Sequence, residues 1–334
     1  MINKILNILP KLISIKFLNK HYPLVVRWQV TDKCYFKCLY CKFYNNPSNN
    51  EIDFSNSLRL LKEMKDCGVI KISFSGGEPL LREDISELIN YCKELKISPE
   101  MNTSGYLFPQ KANLFRNLEL LKISLDGPPE VHNFIRGRAD AYNWAIESAR
   151  AAKQNDIKFI FTTTLTKFNI NIECIDFLLN LAKELDTLIA FQPLKNICYF
   201  EEIENFKEIM PSSDLFKKAI NRIISYKKKN KKLMRNTLRG LRHIYNWPRY
   251  GKLKCWGGGL FCMISPNGEM SPCDRLEYKQ TLPNCNKLGF REAFTRLPTL
   301  SFCGGCGFCG SLELNFLMAL KIDVIPIIKK ISSG

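Results

Sequence analysis

Three cysteines, Cys34, Cys38 and Cys41, stand close together in the spacing C-x3-C-x2-C. Thiolates so spaced on one loop wrap one side of a cubic 4Fe–4S cluster, which ordinarily takes four. Three ligands leave one iron open to bind something else. Zinc would want a fourth protein ligand close by. The residues between, Tyr35, Phe36, Lys37, Leu39 and Tyr40, offer no His or acid. A second set lies beyond residue 250: Cys255-x12-Gly268-x4-Cys273, then Cys303-x2-Cys306-x2-Cys309. Separated pairs of thiolates suit a structural zinc site as well as a cluster, so spacing alone leaves both open. Gly304, Gly305 and Gly307 permit the close backbone approach that either centre needs.

The stretch Ser75-Gly76-Gly77-Glu78-Pro79 is a further candidate. Paired glycines let the main chain come close to a ligand, and a carboxylate accepts from an ammonium. The plainer alternative is a Gly-Gly turn ahead of a proline.

Both candidates follow apolar runs of strand length, Val25–Val30 and Val69–Phe74. Further strands are expected at Ile97–Asn102, Leu120–Leu125, Ile157–Thr164 and Thr187–Gln192. Helical periodicity fills the gaps at Phe54–Cys67, Glu83–Lys96, Ala141–Asn155 and Ile172–Leu185. Strands alternating with helices imply an α/β fold: a parallel sheet with right-handed crossovers, curling toward a TIM-like barrel with its chemistry at the strands' carboxyl ends. Ile264–Met270 reads as a hairpin with Asn267-Gly268 at its tip, bringing Cys255 and Cys273 together.

With these elements in place, CYFKCLYC resembles the CxxxCxφC signature of the radical S-adenosylmethionine (SAM) superfamily, Tyr40 included. Gly76-Gly77-Glu78-Pro79 resembles that family's GGEP motif. Thr103-Ser104-Gly105 resembles its TNG step after the fourth strand. Ser124-Leu125-Asp126-Gly127, with His132 and Arg136-Gly137, resembles its SLDG…H…RG stretch after the fifth. The resemblance covers most of the chain. It implies a partial (β/α)6 barrel in which Cys34, Cys38 and Cys41 hold a 4Fe–4S cluster with SAM on its open iron. It assigns Gly76, Gly77, Glu78 and Pro79 to the methionine amino group, Ser124 to the ribose and Arg136 to the methionine carboxylate. Ser104 stands where Asn is usual. His132 reads as a surface loop residue, and the plain reading of Asp126-Gly127 is a turn.

The second cysteine set resembles the SPASM and twitch extensions of the same family, which hold auxiliary 4Fe–4S clusters. Its first half matches. The last half departs, because SPASM expects C-x2-C-x5-C-x3-C and Cys309 comes too early. One auxiliary cluster on Cys255, Cys273, Cys303 and Cys306 is the preferred reading. Cys309 or Cys262 would then replace a member or join a second cluster with Cys285. Cys67, Cys92, Cys174 and Cys198 read as small core or surface residues. Asp274 matches an acid to which sulfatase-maturing relatives assign the general-base role; the plainer alternative is an ion pair with Arg275 or another cation.

The implied reaction is reductive cleavage of SAM to a 5′-deoxyadenosyl radical that abstracts a substrate hydrogen, with a net oxidation or dehydrogenation assisted by the auxiliary cluster. An external flavodoxin- or ferredoxin-type donor would supply electrons. The substrate would be a small molecule, a lipid or a peptide. Only 33 residues precede Cys34, too few for a leader-binding winged-helix domain. A crosslink-forming peptide maturase would therefore need a separate leader-binding partner.

Composition narrows the setting. With 334 residues, 46% hydrophobic and 11% aromatic, the chain can bury a large core and is not mainly disordered. Its 14 cysteines, on a long chain without a cleavable signal, argue for metal ligands in a reducing, cytoplasmic compartment. The net charge of +17 favours anionic partners, but no nucleic-acid recognition motif accompanies it. Lys227, Lys228, Lys229, Lys231 and Lys232 close a helix that begins near Ser212, where they complement the helix dipole. No uncharged apolar run reaches the roughly 18–20 residues of a membrane span. The apolar, lysine-dotted ends Ile2–Leu18 and Leu312–Ile331 suit docking on the core or peripheral contact with an anionic membrane, and Pro10 and Pro326 weaken the latter. The expected organisation is an amphipathic segment 1–23, a core barrel 24–210, a basic helical linker 211–250, an auxiliary-cluster domain 251–312 and an apolar tail 313–334.

Overall fold

The computed structural model describes residues 2–18, 20–42, 50–198, 201–273, 276, 278, 280–298, 300 and 306–319. Asp274, Cys303 and the tail beyond residue 319 lie outside them. Strands β1 (Val25–Thr31), β2 (Lys71–Gly76), β3 (Ser98–Thr103), β4 (Leu120–Ser124), β5 (Phe159–Leu165) and β6 (Leu188–Pro193) pair in sequence order, all parallel. A small antiparallel hairpin, β7 (Ile197–Cys198) and β8 (Glu201–Glu202), follows. Helices Phe54–Asp66, Ile85–Glu94, Ala141–Gln154 and Ile172–Glu184 are crossovers between these strands, close to the bounds periodicity predicts.

The strands alternate. Val26, Trp28 and Val30 of β1, Ile72 and Phe74 of β2, and Leu121 and Ile123 of β4 are all fully buried in one core with helix residues such as Leu60, Leu61, Leu88 and Leu178. Each such side chain contributes about 1.5–3 kcal/mol by leaving water. A one-residue slip would turn every one of them inward, so the pattern fixes which polar residues line the barrel. Two landmarks sit one strand earlier than expected: Thr103 ends β3 and Ser124 ends β4.

The predicted hairpin is present as β9 (Phe261–Ile264) and β10 (Met270–Ser271), with Gly268 in its turn at φ +90°. It does not stand apart. β9 pairs parallel with β1 from Val25↔Phe261 to Trp28↔Ile264, giving the order β10-β9-β1-β2-β3-β4-β5-β6. At the other edge, residues 233–236 run along β6. Arg235 N donates to the Ile189 carbonyl at 2.9 Å, and the Asn236 amide exchanges two 2.8 Å hydrogen bonds with the Phe191 backbone.

Helix Ile2–Leu18 continues through Pro10, which costs the ladder one N–H without ending it. Its Ile15 packs with Leu24, Cys255, Leu260, Phe261 and Met318, so this end docks beside the second cysteine set. Ser212 caps helix Ser213–Lys229, and Lys227 Nζ donates to the Met234 carbonyl at 2.9 Å. At least this lysine therefore serves the chain's own backbone. Among the described residues, no helix is long and apolar enough to cross a membrane.

Candidate functional site

The loop carrying Cys34, Cys38 and Cys41 is gripped from two sides. Gly77 N donates to the Thr31 carbonyl and Glu78 N to the Lys33 carbonyl, both at 2.8 Å. A Cβ on Gly76 or Gly77 would fall 2.1 Å from the Thr31 or Lys33 oxygen respectively. The glycine pair is thus required by the cysteine loop's own backbone, a constraint not visible from a ligand-approach argument. From the other side, Leu39 N donates to the Ile135 carbonyl at 3.0 Å and Arg138 Nε to the Tyr35 carbonyl at 2.7 Å. Gly137 ends helix Pro129–Arg136 in the left-handed conformation, φ +65°, and a Cβ there would meet the Lys37 carbonyl at 2.7 Å.

A buried ion pair braces this grip. Asp126 is fully buried, and its Oδ2 lies 2.8 Å from Arg136 Nε and accepts from Tyr40 OH at 2.8 Å. Its Oδ1 accepts from Thr164 N at 2.9 Å. Arg136 Nη1 reaches Cys38 Sγ at 3.9 Å. Burial works against the Arg136 charge, but Asp126, with Tyr40 and Cys38, together outweighs it and holds the guanidinium above its ordinary value. Arg136 is therefore as much a brace for the loop as a candidate carboxylate partner.

His132, expected on the surface, is fully buried and accepts from Asp126 N through Nδ1 at 2.9 Å. One turn of helix carries it inward along with Arg136. Burial first, then the Arg136 charge, pushes this imidazole down to about 3 from 6.5. The unfolded chain takes up this proton near 6.5, whereas the folded chain resists it until about 3. Stability should accordingly fall as pH drops through that window, by at most about 1.4 kcal/mol per pH unit from this group. Denaturant titrations between about pH 7 and about pH 4 check it. His132→Gln should lose less stability on acidification than the parent, and parallel losses would count against the assignment.

Glu78 is buried at the end of β2, 1% exposed. Its Oε1 accepts from Thr103 Oγ1 at 2.9 Å and Leu80 N at 3.4 Å; its Oε2 accepts from Ser104 N at 2.8 Å and from Ser104 Oγ. Burial raises the carboxyl above its ordinary range, and these donors only partly restore it. Ser124 stands half-buried at the end of β4 and Pro79 opens a single 3-10 turn. Next to them, Gln29 Nε2 and Ser75 Oγ, paired in register on β1 and β2, are buried without a hydrogen-bond partner. Unmatched polar atoms at the carboxyl ends of adjacent strands are what a polar ligand would satisfy. Burial pushes the Cys34 thiol up to about 12, while Phe36 N donates to its sulfur at 3.5 Å. An electropositive metal centre would convert this cysteine to a thiolate, and the amide already points at it. The residues present fit a cluster with an organic ligand beside it.

The second set is partly gathered. Cys255 is buried, and Gly257 N donates to its sulfur at 3.5 Å. A Cβ on Gly257 would fall 2.7 Å from the Pro272 carbonyl, so the strands leading from Cys255 and to Cys273 run side by side. Cys306 packs near Tyr250, and Cys309 begins helix Cys309–Met318. Among the described residues, no three Cys, His, Asp or Glu side chains gather tightly enough to hold a single metal ion.

A parallel barrel sheet with three cysteines after its first strand and Gly-Gly-Glu-Pro after its second agrees with the resemblance to a radical SAM domain. Residues 28–182 match the family model described as Radical SAM superfamily. The family uses a 4Fe–4S cluster and SAM, and the cysteine-rich C-terminal region fits an auxiliary cluster. The chain is 25% identical over 272 residues to the AdoMet-dependent heme synthase of Oleidesulfovibrio alaskensis, covering 76% of this chain and 70% of that one. It is 32% identical over 174 residues to the GTP 3′,8-cyclase of Campylobacter jejuni, covering 50% of this chain and 54% of that protein. Streptococcus suis SuiB bound to precursor peptide SuiA shares the fold, with a TM-score of 0.68 at 18% identity over 86% of this chain and 68% of that one.

Proposed function

We propose that this protein is a radical SAM enzyme in which Cys34, Cys38 and Cys41 hold the 4Fe–4S cluster. Glu78 and its Gly76-Gly77-Pro79 turn, with Ser104, Ser124 and Arg136, line the SAM site. The observation that carries the reading is the cysteine loop locked onto the Gly-Gly-Glu-Pro turn by the paired 2.8 Å bonds. When bound, the cluster and SAM supply a 5′-deoxyadenosyl radical that takes hydrogen from an unactivated C–H bond. The chain's own part is placement. Tyr40, Asp126 and Arg136 fix the loop around Cys38, and Thr103 and Ser104 fix the Glu78 carboxyl. Cys255, Cys273, Cys303 and Cys306, with Cys309 in reserve, would hold the auxiliary cluster. Asp274 would take the proton that a net oxidation releases. A flavodoxin- or ferredoxin-type protein would deliver electrons.

Anaerobic reconstitution with iron analysis, EPR and a SAM-cleavage assay tests this. Two clusters, about eight irons per chain, and 5′-deoxyadenosine formed with dithionite are expected. Zinc at the second set, or iron for one cluster in folded protein, removes the auxiliary cluster. Absence of 5′-deoxyadenosine removes the enzyme reading altogether.

A further inference from the structure

Inward-facing residues on three strands and one edge segment place three cations around one carboxylate. Lys71 Nζ lies 2.8 Å from Glu100 Oε1, Lys122 Nζ lies 2.6 Å from Glu100 Oε2, and Arg235 Nη2 lies 3.6 Å from Glu100 Oε1. Among the described residues, Glu100 is the one carboxylate within ion-pair distance of these cations. Its side chain is 5% exposed, those of Lys71 and Lys122 are 10% and 16% exposed, and that of Arg235 is half-buried at 27%. We propose that this part of the barrel binds the acid group of the substrate, a carboxylate or a phosphate, on Lys71, Lys122 and Arg235.

The first support is charge. Buried cations in excess of their partners are costly unless an anion joins them. Burial pushes the Lys122 ammonium down, and Arg235 and Lys71 add to it, despite Glu100. The second support is independent of charge. Ser98 begins β3 in register with Lys71 and shares its strand face with Glu100. Its Oγ is buried without a hydrogen-bond partner, and the residue is 6% exposed. A hydroxyl beside an excess of cations suits an anionic oxygen.

The location suits a substrate. Arg235 is held inward because its neighbour Asn236 is locked to the β6 backbone. A Cβ on Gly307 would fall 2.4 Å from Pro193 Cγ, and the Phe308 ring lies 3.8 Å from the Arg27 guanidinium. Residues 307–308 thus touch both β6 and β1, and Cys309 next to them feels Arg235 and Lys122. The acid would lie within the barrel between the SAM end of the strands and the second cysteine set. This inference rests on the radical SAM reading above.

Calorimetry of the full-length reconstituted protein with SAM tests it, using propane-1,2,3-tricarboxylate and inorganic pyrophosphate as separate probes. Wild type should bind at least one, and which one tells carboxylate from phosphate. Arg235→Gln should weaken that binding about ten- to a hundredfold. Glu100→Gln, which removes the competing carboxylate, should tighten it. Arg222→Gln, which breaks an outer-surface pair with Asp176, should leave it unchanged. No binding of either probe to wild type, or equal affinity in folded Arg235→Gln, overturns the proposal. So does a shifted auxiliary-cluster potential in Arg235→Gln without a change in probe affinity, since the cations would then serve the cluster. Wild-type SAM cleavage is measured in parallel. Its absence defeats the radical SAM reading, while the titration still reports on the anion site.

Discussion

Replacing Cys34, Cys38 or Cys41 with alanine should reduce SAM cleavage to the background of dithionite alone. On the proposed reading each substitution removes one of three anchors, and each cysteine is set by a different contact. Cys34 receives the Phe36 amide, Cys38 faces Arg136, and Cys41 N donates to the Cys38 carbonyl at 3.0 Å. No sulfur is placed to replace another within a loop so tightly held. Cys255→Ala should behave differently, leaving uncoupled cleavage while stopping substrate turnover. Cys67→Ala, at the half-buried end of helix Phe54–Asp66, should leave cleavage intact. The assay is 5′-deoxyadenosine yield per cluster, with iron content measured on each variant. Residual cleavage in the triple alanine variant would mean that the cluster sits elsewhere.

The second large effect is on stability. Asp126→Ala should cost about 3–5 kcal/mol, because it leaves the Arg136 charge buried and unpaired. It also strands Tyr40 OH and Thr164 N, which donate to this carboxylate at 2.8 and 2.9 Å. Double substitution to Asp126→Ala with Arg136→Met should recover part of that loss, since no bare charge remains. Denaturant midpoints of the two singles and the double give the coupling. Simple additivity would show that the pair does not act as a unit.

Much of this was legible in the sequence. Apolar runs located all six barrel strands, because a strand covered by helices on one face repeats its large residues every second position. Cysteine spacing and the Gly-Gly-Glu-Pro turn marked the candidate site, because they are local in sequence. What stayed hidden is what depends on contacts between distant segments. Asp126 looked like half of a turn, and only its meeting with Tyr40, Thr164 and Arg136 shows it as a brace. His132 lay on a short helix whose inward face no local rule decides. The Lys71–Glu100–Lys122 group had a faint signal in the alternation Lys71-x-Ser73-x-Ser75 and Ser98-x-Glu100-x-Asn102, polar at every inward position. Arg235 had none, since its place depends on an asparagine pairing with β6. The pairing of β9 with β1 was equally invisible, because parallel partners far apart in sequence leave no turn between them.

That last pairing makes the chain hard to shorten. β1 has β2 on one side and β9 on the other. Ending the chain before residue 255 would strip Val25–Trp28 of a partner and bare a largely apolar strand edge ahead of the cysteine loop. Such an edge recruits other chains by pairing edge to edge with their strands. A barrel expressed without its C-terminal region should therefore precipitate or self-associate rather than persist as a minimal SAM-cleaving unit. Exchanging that region between relatives would have to preserve the pairing of β9 with β1 from Val25↔Phe261 to Trp28↔Ile264, because the loop of Cys34, Cys38 and Cys41 follows one of these strands and Cys255 precedes the other.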